Sequence, residues 1–126
     1  MNEHLVEKAK EWMQLERKTL EQRRIAEEYM WMIAMDSKCK PIGIFEISHG
    51  TVNATLASPR EVFTRLCLCG ATSFVLVHNH PSGDCSPSKD DIQTTERMGE
   101  CGKLMNIPLN DHIVIGEGYY SFKENR

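Results

Sequence analysis

The chain has 126 residues, 40% of them hydrophobic, and a formal net charge of −3. That length suits one domain with a real core and is too short for two ordinary ones, and the charge gives no reason to expect strong nucleic-acid binding, which needs lysines and arginines clustered opposite phosphates. No apolar stretch approaches the roughly 20 residues that span a bilayer; a charge-crowded N-terminus and five cysteines, an odd number, argue against a signal peptide and a disulfide framework and for a cytoplasmic protein.

Asn2 to about Glu28 is expected to be a helix, with Leu5, Ala9, Trp12 and Met13 at helical spacing and no glycine or proline to break it. Its Lys8, Lys10, Arg17, Lys18, Arg23 and Arg24 are interleaved with glutamates, the pattern of a solvated helix face. Tyr29 to Met35 is a continuous apolar run, Asp36-Ser37-Lys38 a polar turn, and Pro41 to Ser48 a second extended segment, together a hairpin. His49-Gly50-Thr51 breaks it, and Val52 to Leu56 is expected as a third strand.

Ser58-Pro59-Arg60-Glu61 is a helix start, with serine at the cap and proline in the first turn. It leads into Val62, Phe63, Leu66 and Cys67 at helical spacing, and Gly70 ends it. Cys67-Leu68-Cys69 is too closely spaced for a zinc-binding Cys-x-x-Cys pair, so both thiols are expected as small apolar groups against the core. Phe74-Val75-Leu76-Val77 is a short apolar run, the composition of a strand buried on both faces. Ser86-Pro87-Ser88 starts a second helix with apolar spacing at Ile92, Met98, Leu104 and Met105; Cys101-Gly102 interrupts it and Ile107-Pro108 excludes its continuation. His112 to Ile115 and Tyr119 to Phe122 are closing strands around Gly116-Glu117-Gly118. The sum is an α/β domain with a mixed sheet flanked by helices.

The segment that most constrains function follows the buried strand: His78-Asn79-His80-Pro81-Ser82-Gly83, then Ser88 and Asp91. Side chains alternate along an extended chain, so His78 and His80 point the same way and can share one cation. Catalytic zinc usually takes three protein ligands plus a water, and Asp91 is the candidate third ligand, one helical turn from Ser88. Ser88-Lys89-Asp90-Asp91 also fits a capping box, in which a hydroxyl and an acidic side chain satisfy free amides at a helix start. Two same-face histidines at the end of a buried strand tip the combined pattern to a metal site. Cys85, inside the same segment, is either an extra ligand or a bystander.

Hydrolysis at such a site needs a group that takes a proton from the attacking water and returns it to the leaving amine. Glu46 is the sequence's candidate, because a charge in Ile42-Gly43-Ile44-Phe45-Glu46-Ile47 is costly unless paired or used; the alternative is an edge-strand carboxylate facing water. Ser88 has a second possible role, hydrogen-bonding the oxyanion of a tetrahedral intermediate. Asp84 and the pair Asp111-His112 are candidates to orient a ligand histidine.

His-x-His, seven residues, Ser, two residues, Asp, with an upstream Glu, resembles the signature of the JAMM (MPN-plus) metalloproteases. Glu46-Ile47-Ser48-His49-Gly50-Thr51, Pro59-Arg60-Glu61-Val62-Phe63, His78 to Asp84, Pro87 to Asp91 and Asp111-His112-Ile113 are similar, in matching order, to the RadC branch. The similarity runs from Tyr29 to the end, making 29–126 the JAMM-like domain and 1–28 a charged N-terminal helical segment. The resemblance implies a cytidine-deaminase-like (JAB/MPN) three-layer α/β/α fold with a mixed central sheet. It also implies Zn2+ held by His78, His80 and Asp91, Glu46 as acid/base, Ser88 as oxyanion support, and a peptide or protein substrate cut at a peptide or isopeptide bond. Two departures stand out: RadC proteins usually carry a helix-hairpin-helix region where this chain has its charged segment, and proline where it has Cys85.

Two rival classes use the same residues. A two-histidine, one-carboxylate iron oxygenase shares the ligand set but needs a co-substrate site that the sequence does not display. A metal-binding interaction module associated with DNA repair or mobile elements would keep the ion and lack turnover. The letters His-Asn-His also suggest a nuclease, but that motif spreads its residues along a hairpin and helix.

Overall fold

A computed structural model describes Glu7, residues 28–50 and residues 58–125, with the side chains of 48–50 left aside. The apolar run and its partner segment form the expected hairpin, β1 (Glu28–Met35) and β2 (Pro41–Gly50). The Asp36 carboxylate closes it by accepting from Lys38 N–H at 2.8 Å and Lys40 N–H at 3.0 Å. Next come α1 (Pro59–Cys69), β3 (Ser73–Asn79), α2 (Lys89–Met105), β4 (Leu109–Ile115) and β5 (Tyr119–Ser121).

The sheet order is β2-β1-β3-β4-β5. Neighbours are antiparallel except β3 and β4, which are parallel and therefore need a crossover; α2 supplies it. The central strands β1 and β3 are apolar on both faces because both faces are covered. Met30, Met32, Ala34, Phe74 and Leu76 pack with Val62, Phe63 and Leu66 of α1 and Met98 of α2, while Ile33, Met35, Val75, Val77 and Ile113 form a second cluster on the other face. Among the described residues this mixed sheet, with α1 and α2, agrees with the α/β fold that the resemblance implies. Among the described residues no helix is long and apolar enough to cross a membrane.

Several expectations change. The helix expected over Asn2 to Glu28 lies outside the described residues, except that Glu7 is helical and Glu28 instead begins β1. The strand expected at Val52 to Leu56 also lies outside them. Cys67 is exposed and only Cys69 packs against the core, because residues two apart on a helix face different ways. On α2, Ile92, Leu104 and Met105 are exposed, and Met98 alone of that set is buried. The inward face of α2 carries Asp91, Thr94, Met98 and Gly102. Gly102 is required there, since a Cβ would stand 2.7 Å from the Ile107 carbonyl oxygen.

Candidate metal centre

Strand parity delivers the first histidine. Phe74 and Leu76 point to the helix-covered face and His78 continues that alternation, ending wholly buried beneath α2. His80 lies just past β3, where its backbone N–H donates to Ile115 O at 2.8 Å and keeps the chain strapped to β4. The loop beyond is held by Glu117 N–H donating to Gly83 O at 2.8 Å, an approach so close that a Cβ on Gly116 would meet that oxygen at 2.2 Å. Gly83 itself has φ 90°, a conformation glycine adopts without strain.

The N-terminus of α2 brings in the carboxylate. Ser88 is the N-cap and Asp91 the N3 residue of a complete capping box: Ser88 Oγ accepts from Asp91 N–H at 3.1 Å, and Asp91 Oδ2 accepts from Ser88 N–H at 2.7 Å. The same carboxylate places Oδ1 3.0 Å from His78 Nε2 and Oδ2 3.1 Å from His80 Nε2. Capping and ligation, which the sequence poses as alternatives, are thus both geometrically served by one side chain. Burial alone would raise the Asp91 pKa. The hydrogen bond and charge of His78, with the Ser88 N–H and hydroxyl, outweigh it and hold the carboxyl well below the usual range.

His78, His80 and Asp91 form a group able to hold a metal ion. His80 Nδ1 lies 2.8 Å from the Asp84 carbonyl oxygen, which only accepts, so that nitrogen carries a proton and Nε2 is the atom turned to His78 and Asp91. His78 Nδ1 is likewise engaged, 2.8 Å from His112 Nε2, and the two Nε2 atoms face each other at 3.0 Å. A cation set between these two nitrogens and the Asp91 carboxylate would be met by both rings at once. A tetrahedral ion with ligands at about 2.0 Å has edges of about 3.3 Å, close to the spacings of these donors, so the residues fit zinc or a similar divalent ion. Cys85 is not part of the group.

Of the two expected orienting groups, Asp84 acts through its backbone carbonyl. Its carboxylate instead accepts from Ser86 N–H at 3.0 Å, the main cause of its lowered pKa. His112 touches His78 directly, whereas Asp111 does not. Asp111 accepts from His112 N–H, Ser121 Oγ–H and Lys123 N–H at 2.7, 2.5 and 3.0 Å, tying the C-terminal turn to β4. Burial pushes the His112 pKa well down, with His78 adding to it, so its ring is neutral.

Glu46 is not brought to this group. Phe45 and Ile47 point to the helix-covered face, so Glu46 between them projects to the other face, exposed and paired with Trp31, which in turn pairs with Val77. Glu28 occupies the position that sequence reasoning sought. Met30 pairs with His78, so two residues earlier in β1 Glu28 shares that face and falls in register with position 80. Its half-buried carboxyl interacts electrostatically with His78, His80 and Asp91, and its pKa is raised chiefly by burial, against the two histidines and with the Asp91 charge. The sequence signal for it was the junction Glu27-Glu28-Tyr29, where a charged segment meets the apolar run that pairs with the histidine strand.

The family described as RadC-like JAB domain matches residues 6–126. A UPF0758 protein of Clostridium perfringens is 45% identical over 105 residues, covering 82% of this chain and 46% of that protein. One of Alkaliphilus metalliredigens is 46% identical over 105 residues, 82% of this chain and 45% of that protein. One of Clostridium tetani is 42% identical over the same length. The chain spans about half the length of the curated relatives it matches, 46% and 45% for the first two.

Proposed function

Because this chain belongs to the RadC-like JAB domain family, we propose that it is a metal-dependent hydrolase of peptide or isopeptide bonds, with zinc held by His78, His80 and Asp91. The observation that carries the reading is the convergence of three side chains, the two Nε2 atoms and the two Asp91 carboxylate oxygens meeting at 3.0–3.1 Å, with each histidine's Nδ1 already engaged elsewhere. When bound, the ion supplies Lewis acidity toward a water and a substrate carbonyl.

Glu28 takes the acid/base role. It shares the face of His78, and burial pushes its carboxyl above the usual carboxylate range, the direction that suits a group that must both take and return a proton. Ser88 accepts from Asp91 N–H through its oxygen, which leaves the exposed hydroxyl's own proton to donate to a developing oxyanion. The substrate is a peptide or protein segment laid across the end of β3 and the start of α2, where His80 and Ser88 reach solvent.

The test is metal content together with cleavage of a peptide library carrying both α-linked and isopeptide-linked quenched pairs. Stoichiometric zinc, cleavage lost on chelation and restored by zinc, and a Glu28→Gln protein that keeps zinc without cutting are the expected results. Zinc binding with no cleavage by the unaltered chain would replace the hydrolase with a metal-binding interaction module. Stoichiometric iron with oxygen-dependent turnover would overturn both.

A further inference from the structure

Thr95 and His112 complete a hydrogen-bond ring that begins and ends on Asp91. Asp91 Oδ1 lies 3.0 Å from His78 Nε2, and His78 Nδ1 lies 2.8 Å from His112 Nε2. His112 Nδ1 is 2.5 Å from Thr95 Oγ1, which is 2.8 Å from the backbone oxygen of Asp91. His112 is wholly buried and stacked on Phe122 at 4.9 Å with 13° between the planes, so its ring is held in this orientation.

The Asp91 carbonyl gives the ring its direction. It only accepts, so Thr95 donates its single proton to it, and the Thr95 oxygen is left to accept from His112 Nδ1–H. Among the described residues the His112 ring has no carboxylate partner; with its proton on Nδ1 toward Thr95, its Nε2 is left to accept from His78 Nδ1–H. His78 Nε2 then presents a lone pair toward Asp91 and His80. In the opposite direction Thr95 would donate to His112, His112 Nε2–H to His78, and the His78 proton would sit on Nε2, where a ligand needs its lone pair.

We propose that Thr95, acting through His112, is the positioning residue that sets the tautomer of His78 and so makes its Nε2 a metal ligand. This rests on the metal reading above and assigns no step in the chemistry to Thr95. Outer-shell partners of ligand histidines are typically worth 10- to 100-fold in metal affinity.

The experiment measures Zn2+ affinity of the full chain by competition with a chromogenic chelator. Thr95→Val, which keeps the shape and removes the hydroxyl, is expected to weaken zinc binding about tenfold or more, and Thr95→Ser to restore it. Thr64→Val is the control, because Thr64 makes the same kind of helical bond, to Arg60 O at 2.6 Å, far from the histidines, and zinc affinity should not change. A readout that a packing defect would not reproduce is the histidine ring 15N spectrum of the unaltered, zinc-loaded protein, in which His112 should carry its proton on Nδ1. Zinc affinity of Thr95→Val within twofold of the unaltered chain, or His112 protonated on Nε2 in the zinc-loaded protein, overturns the proposal. Failure of the unaltered chain itself to take up zinc overturns the metal reading, and is told apart because every variant then matches it.

Discussion

The two faces of the sheet carry much the same apolar residues through its middle and opposite chemistry at one end. On the helix-covered face, the column Leu76, Met30 and Met32 ends in His78, with Asp91 and Thr95 above it and Glu28 beside it. On the other, Val75, Val77 and Ile33 end beside Trp31 and the exposed Glu46. One residue of strand separates the two environments. What distinguishes them is a helix N-terminus: α2 directs free amides and a capping carboxylate at one face only, and strand parity decides which side chains meet them.

The largest effect that would break this contrast is on the ligands. His78→Ala should abolish stoichiometric zinc uptake, read by metal analysis after dialysis, whereas Val77→Ala on the opposite face should keep zinc and lose about 2 kcal/mol of stability by removal of a fully buried side chain. Retained zinc in His78→Ala would remove the distinction between the faces. Next, Glu28→Gln should leave zinc content unchanged and reduce cleavage by at least 100-fold, in line with loss of a positioned acid/base group. The same change at Glu46 should leave cleavage within about twofold, and the reverse ranking would return the role to the edge strand.

Smaller effects concern the helix start. The Asp91 carboxyl is held well below its usual range in the fold, so the stability that its ionised form contributes is complete above the unfolded value near 3.9 and fades as pH falls through the folded value. Denaturant titrations of metal-free protein should therefore show stability falling below about pH 4, and Asp91→Asn should flatten that decline. Ser88→Ala removes the acceptor for Asp91 N–H and should cost about 1 kcal/mol, while Ser58→Ala, at a cap with no side-chain hydrogen bond, should cost less. Equal losses at the two serines would mean that the capping box adds nothing to α2.

The candidate ligand group was legible in the sequence because its parts are local. His78 and His80 are related by strand alternation, and Ser88 and Asp91 by one helical turn, both short-range rules that need no partner segment. The carboxylate beside the histidines was not legible. Glu46 looked unusual in an apolar segment, but which face it takes depends on pairing with β1, where the register shifts between Met30 and Trp31. Glu28 looked like the last charge of a helix, and only the pairing of Met30 with His78 shows that it turns to the metal side. The outer histidine was legible only as a residue type, since 34 positions separate His112 from His78 and the parallel alignment of β3 and β4 joins them.

By itself, then, the sequence determined the α/β class, the strand that carries the histidines, the three side chains that could hold a metal ion and the helix cap, because backbone periodicity and capping chemistry act over a few residues. Only the tertiary structure decided which carboxylate joins them, which histidine orients His78, and that the Asp91 cap faces the ligands. Those outcomes depend on which strands become neighbours and in what register, and hydrogen bonding between strands distant in the chain sets that register.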